Sequence, residues 1–171
     1  MFTIYNNGKP APMGYSIFTE NGVKVTNFAL FSSAASGIEL CLFDGDKETH
    51  FPMVRTNNVW HLAVAGVDVG TEYGFRIHGE FANPNKLMLD PYAKAVNGKP
   101  DLSSKESRSW FLLLDNRDNA HLAPRAVVIS EDFDWENDTS PNTPWAETSV
   151  YELHVKGFSK LNEKIPAALR G

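Results

Sequence analysis

The stretch Ile38-Glu39-Leu40-Cys41-Leu42-Phe43-Asp44, running into Gly45-Asp46, decides the fold. Ile38, Leu40 and Leu42 point one way and Glu39 the other, the period of two that marks a β-strand with one buried face. Asp44-Gly45-Asp46 supplies a hairpin-type turn. A second run repeats the pattern: over residues 72–78, Tyr73, Phe75 and Ile77 alternate with Glu72, Gly74, Arg76 and His78. Each strand is expected to bury one face and wet the other.

Working outward, weaker strand signals cover residues 23–31 after the Asn21-Gly22 turn, 49–55, 59–65, 110–114 and 125–130. With the two clear runs these make seven short strands separated by turn residues, which predicts an all-β, immunoglobulin-like antiparallel β-sandwich over residues 1–125. Helix contributes little: residues 85–96 have room for a turn or two before Pro91 interrupts them.

The remainder differs chemically. Residues 126–171 hold 8 acids against 4 bases, whereas residues 1–125 are nearly balanced at 13 and 12. From Ser130 to Pro144 the chain is rich in Glu, Asp, Asn, Pro, Thr and Ser, so 126–148 reads as an exposed acidic linker. Residues 149–155, Ser-Val-Tyr-Glu-Leu-His-Val, follow with high β-propensity and no strand beside them in sequence. Lacking a partner, residues 145–171 are expected to be disordered, to fold back on the sandwich, or to pair between chains as a homo-oligomer.

Composition excludes several functions. The net charge of −5 and the absence of a Lys/Arg cluster argue against nucleic acid. No apolar run is long enough to span a membrane and no signal-peptide core opens the chain, which with a single cysteine favours the cytoplasm. Cys41, as the only cysteine, rules out an intrachain disulfide and a metal site built on thiolates, and its place among core residues argues against reactivity. The histidines His50, His61, His78, His121 and His154 show no i, i+4 spacing, so no metal is expected. No phosphate loop and no Gly-x-Ser-x-Gly elbow is present, and no cofactor is expected. Aromatic side chains can stack on the apolar face of a sugar. Trp60 shares a strand face with Leu62 and Val64 and reads as core. Phe81, Tyr92 and Trp110 lie near loop or strand ends and are the candidate carbohydrate-binding residues.

Several strings, in order, resemble one family. Gly8-Lys9-Pro10-Ala11-Pro12-Met13-Gly14, the Ile38 run, "YGFRIHG" from Tyr73, "NPNKLMLDPYAKAVNG" from Asn83, "DFDWENDTSPNTPW" from Asp132 and "YELHVKGF" from Tyr151 resemble the start of bacterial glycogen debranching enzymes of the isoamylase type, in the α-amylase superfamily. The resemblance implies that the sandwich is the carbohydrate-binding module preceding the catalytic barrel, and that residues 149–171 begin that barrel as its first strand and the connection after it. A closed (β/α)8 barrel needs roughly 250 residues, more than the 171 here. The family's aspartate nucleophile, glutamate acid–base and aspartate stabiliser belong to later barrel strands, so no catalytic residue is expected in this chain.

Two departures from the family stand out. Debranching enzymes usually carry a longer loop where only Glu80-Phe81-Ala82 separates Gly79 from Asn83. Related glycogen-binding modules, such as that of the AMP-activated kinase β subunit, use two tryptophans and a lysine around a Tyr-Lys-Phe strand. Gly74 stands at the lysine position here, and Phe81 stands about where one tryptophan would be. The implied partner is glycogen or another α-glucan. Three readings remain open: a module of a debranching enzyme hydrolysing α-1,6 branch linkages, a standalone glucan-binding or regulatory module, and a truncated product without function.

Overall fold

A computed structural model describes residues 1–130 and 133–171. The chain divides into two compact units, Met1–Glu131 and Asp132–Gly171. The first is a sandwich of two antiparallel sheets. One contains β1 (Thr3–Asn6), β2 (Gly14–Glu20), β3 (Val23–Phe31), β6 (Val54–Thr56) and β7 (Val59–Ala65), in the order β1-β7-β3-β2 with β6 also on β7. The other contains β4 (Gly37–Asp44), β5 (Lys47–Pro52), β8 (Glu72–His78), β9 (Leu87–Met88), β10 (Val96–Asn97) and β11 (Arg125–Val127), in the order β10-β11-β8-β4-β5 with β9 on β8.

Turn chemistry sets the registers. Asn21 and Gly22 join β2 to β3 with φ of 51° and 77°, the left-handed pair that a twisted two-residue hairpin requires, and Glu20 pairs with Val23 across it. The sheets meet through Tyr15 and Phe28 on one side and Tyr73 and Phe75 on the other. The Phe28 and Tyr73 rings lie 5.0 Å apart and Tyr15 meets Tyr73 edge-on at 6.0 Å. Around them Ile38, Leu40, Leu42, Leu62, Val64 and Trp60 are buried, so Trp60 is core as expected. Trp60 Nε1 donates to the Ser32 carbonyl at 3.2 Å, which satisfies its polar edge.

β11 falls within the stretch predicted over 125–130, and the following residues stay in the sandwich. Val128 is fully buried, the Ile129 amide donates to the Tyr15 hydroxyl at 3.0 Å, and that hydroxyl donates to the Ile129 carbonyl at 3.2 Å.

Three expectations need correction. β4 does not leave one face wet: Cys41 and Phe43, opposite to Leu40 and Leu42, are also buried, under Leu87, Ala120 and Ala123 of the segment after β8. Residues 110–114 form turns after the short helix α1 (Lys105–Ser109), and Phe111, Leu112 and Asp115 amides donate back to carbonyls three residues earlier. The strand expected over 149–155 does not form. Residues 149–154 carry no regular structure, and Val155 opens α2 (Val155–Lys160), capped by His154 Nδ1, which accepts from the Gly157 amide at 2.8 Å. A strand needs a ladder partner, and among the described residues none pairs with this stretch.

Candidate functional site: a covered sheet face and an apolar groove

Between β8 and β11 the chain crosses the outer face of β4 and β8, and a buried arginine pins it there. Arg76, 4 % exposed, lies on the outward face of β8 beside Glu39 of β4. Its Nε donates to Glu48 Oε1 at 2.6 Å, its Nη2 to Asp118 Oδ2 at 2.8 Å and its Nη1 to the Pro84 carbonyl at 2.9 Å. Burial alone would push the Glu48 and Asp118 carboxyls up. The Arg76 guanidinium, helped at Asp118 by the Ala120 amide, reverses this and holds both below the ordinary carboxylate range. A second clamp lies alongside. Lys86 Nζ donates to the Arg117 carbonyl at 2.7 Å, and the Leu87 amide donates to Asn119 Oδ1 at 2.8 Å.

This cover explains Gly74. A Cβ at position 74 would sit 2.8 Å from Leu87 Cδ1 and 3.1 Å from the Met88 carbonyl oxygen, so the strand accepts only glycine without moving its roof. The position compared above with a sugar-contacting lysine is closed by the chain's own Leu87.

Beside this roof a groove of about 670 Å³ opens to solvent. Phe81, Met88, Leu89, Leu102, Phe111 and Leu113 are the large apolar side chains of the segment after β8 that line it. Asn83, Lys86 and Asn119 also line it. Their polar atoms are engaged elsewhere: Asn83 Nδ2 donates to the Leu113 carbonyl at 2.8 Å, and Lys86 and Asn119 hold the clamp just described. The groove therefore offers carbon surface with few free polar groups, unlike a sugar site, which must also bond hydroxyls.

The three candidate aromatics do not converge. Phe81, 76 % exposed, stands in the groove wall. Trp110 is half-buried outside it, with the Arg117 guanidinium 4.0 Å from its ring and His121 edge-on at 5.2 Å. Tyr92 is exposed next to Gly14 of β2, and its amide donates to Asp90 Oδ1 at 2.8 Å. Asp90, 2 % exposed, also accepts from the Tyr73 hydroxyl at 2.7 Å, and burial pushes its carboxyl up. Met88, Leu102, Phe111 and Leu113 were not foreseen as site residues. For Phe111 and Leu113 the signal was the apolar run 111–114, which reads equally as a strand.

The two packed antiparallel sheets are the architecture of a carbohydrate-binding-module sandwich. Residues 12–93 match the family model of carbohydrate-binding module 48, the isoamylase N-terminal domain. The pullulanase from Bacillus acidopullulyticus superposes with a TM-score of 0.55 at 19 % identity, covering 94 % of this chain and 17 % of that one. The pullulanase from Paenibacillus barengoltzii, in complex with maltohexaose and α-cyclodextrin, gives 0.53 at 25 % identity, covering 86 % and 20 %.

The chain belongs to the glycogen debranching enzymes, as an N-terminal part that carries the module. It is 83 % identical over its whole length to 26 % of the glycogen operon protein GlgX homolog of Haemophilus influenzae. It is 41 % identical over 96 % of its length to 25 % of the glycogen debranching enzyme of Serratia proteamaculans. It thus spans about a quarter of the length of the curated relatives it matches. Among the described residues no helix is long and apolar enough to cross a membrane.

Proposed function

We propose that this chain serves as the non-catalytic module of a debranching enzyme that hydrolyses α-1,6-glucosidic branches of glycogen or limit dextrin by a retaining two-carboxylate mechanism. In this reading the immunoglobulin-like sandwich packs beside the catalytic barrel, the acidic stretch after it is the connector, and residues 149–171 enter the barrel. The strand propensity of 149–155 is then used only where barrel strands stand on either side. The free, buried Cys41 accords with a reducing cytoplasm.

The observation that carries the packing role is the groove: an exposed apolar surface whose polar neighbours are already engaged suits protein side chains better than glucose. The chain alone is expected to release no reducing sugar from limit dextrin. Release at a rate rising with protein concentration, and surviving repeated purification, would refute the non-catalytic assignment.

One observation favours a second reading, in which the module holds glucan itself: Phe81 presents an exposed ring at the position compared with a sugar-stacking tryptophan. Affinity electrophoresis in a glycogen gel separates the two. Unchanged mobility supports a packing module, and retardation lost in Phe81→Ala supports a binder.

A further inference from the structure

The antiparallel register of β4 and β5 gathers a set of metal-ligating side chains that no spacing along the chain announces. Cys41 lies directly opposite His50, and Glu48, two residues before His50, shares its face. The Cys41 sulfur, a Glu48 carboxylate oxygen and a His50 ring nitrogen all lie within 4.8 Å of one another. His50 Nε2 stands 3.1 Å from Glu48 Oε1, close to the ~3.3 Å that separates two ligands sharing a tetrahedral zinc with bonds near 2.0–2.1 Å.

The surroundings complete a pattern typical of metal centres. The other nitrogen of His50, Nδ1, faces Glu39 Oε2 at 3.5 Å, and that same oxygen faces His78 Nε2 at 3.3 Å. A carboxylate on the far nitrogen is the outer-shell partner that orients a ligating imidazole. The side chains grade from inside outward: Cys41 is fully buried, Glu48 is 16 % exposed and His50 40 % exposed, which leaves the fourth position on the solvent side. Arg76 beside Glu48 does not cancel the site. Arg76 donates to both Glu48 oxygens, Nε to Oε1 at 2.6 Å and Nη2 to Oε2 at 2.8 Å, as well as to Asp118, but a carboxylate offers about four lone-pair sites, so Glu48 can accept from the guanidinium and still ligate.

We infer that Cys41, Glu48 and His50 form a binding site for a thiophilic divalent cation of the zinc class, with Glu39 as the positioning residue behind His50 and water in the fourth position. The sulfur and imidazole ligands select against magnesium and calcium, which require oxygen. As the metal–sulfur bond forms, the thiol proton leaves to solvent. Burial and the neighbouring Glu48 hold the thiol well above its ordinary range, so the metal-free cysteine stays protonated and inert.

The test is titration of the reduced 171-residue protein with zinc(II), followed by calorimetry, and with cobalt(II), followed by absorption. One zinc per chain is expected, together with a near-ultraviolet sulfur-to-cobalt charge-transfer band. Cys41→Ser should abolish the band. His50→Gln, at a half-exposed side chain that the fold tolerates, should weaken zinc binding at least tenfold. Glu39→Gln, which leaves all three ligands in place, should weaken it about tenfold, while His154→Gln in the second unit should change nothing. Metal-free melting curves establish that each variant is folded. Absence of the sulfur band in the wild type, or zinc affinity unchanged in folded His50→Gln, would overturn the site and leave adventitious surface binding.

Discussion

The two units of this chain use similar residues to opposite effect. Both contain aromatic and aliphatic side chains, but in the sandwich Phe28, Tyr73, Leu40 and Val64 are buried to within 1 % or less. In the second unit Trp145, Val150, Tyr151, Val155 and Leu161 are each about four-fifths exposed or more. α2 buries no residue at all. Apolar residues make a core only where a second layer faces them. The stretch 149–155 has the composition of a strand without the neighbour that would make it one.

This contrast can be broken most sharply by truncating side chains in each unit. Phe28→Ala should cost about 4 kcal/mol of sandwich stability in denaturant unfolding, whereas Tyr151→Ala should cost under about 0.5 kcal/mol. Equal costs would mean that the second unit has a core of its own. Next in size is Arg76→Ala, which leaves Glu48 and the Pro84 carbonyl without their buried donor and should cost about 3 kcal/mol, loosening the cover over β4. Hydrogen exchange should then quicken in residues 83–88 more than in β3 or β7.

Gly74→Val should cost about 2 kcal/mol by forcing Leu87 off its seat, an overpacking effect that Leu87→Ala in the same chain should partly relieve. The pH dependence is a smaller and graded test. Glu48, Glu72 and Asp118 are each pulled below the ordinary carboxylate range when folded, by Arg76, by Asn97 with Arg125, and by the Ala120 amide with Arg76 respectively, against the effect of burial. Their stabilisation is present above the unfolded value, close to pH 4, and is lost as pH falls through the depressed folded values. The sandwich should therefore weaken steadily on the acid side below about pH 4, and Arg76→Ala should flatten that decline.

Much of the sandwich was legible because its central strands alternate cleanly and its hairpins use Asn-Gly and Gly-Asp. β1 was not, since at a sheet edge its residues are mostly exposed and leave no alternating trace. β2 buries Gly14 and Tyr15 and then turns outward, which shortens its signal to two residues. The candidate site was less legible still. Of the three candidate aromatics only Phe81 lines the groove, and Trp110 and Tyr92 lie apart from it because the segment after β8 is ordered by Arg76, Lys86 and Asn119, long-range contacts that no local pattern encodes. The same holds for the cluster at Cys41, which exists only through cross-strand register.

The chain itself closes the sheet face at Gly74, and in the proposed reading the groove beside it serves packing. Affinity electrophoresis in glycogen-containing gels tests this most directly. The same mobility with and without glycogen is expected for both the wild type and Phe81→Ala. Clear retardation of the wild type, abolished by Phe81→Ala, would contradict it.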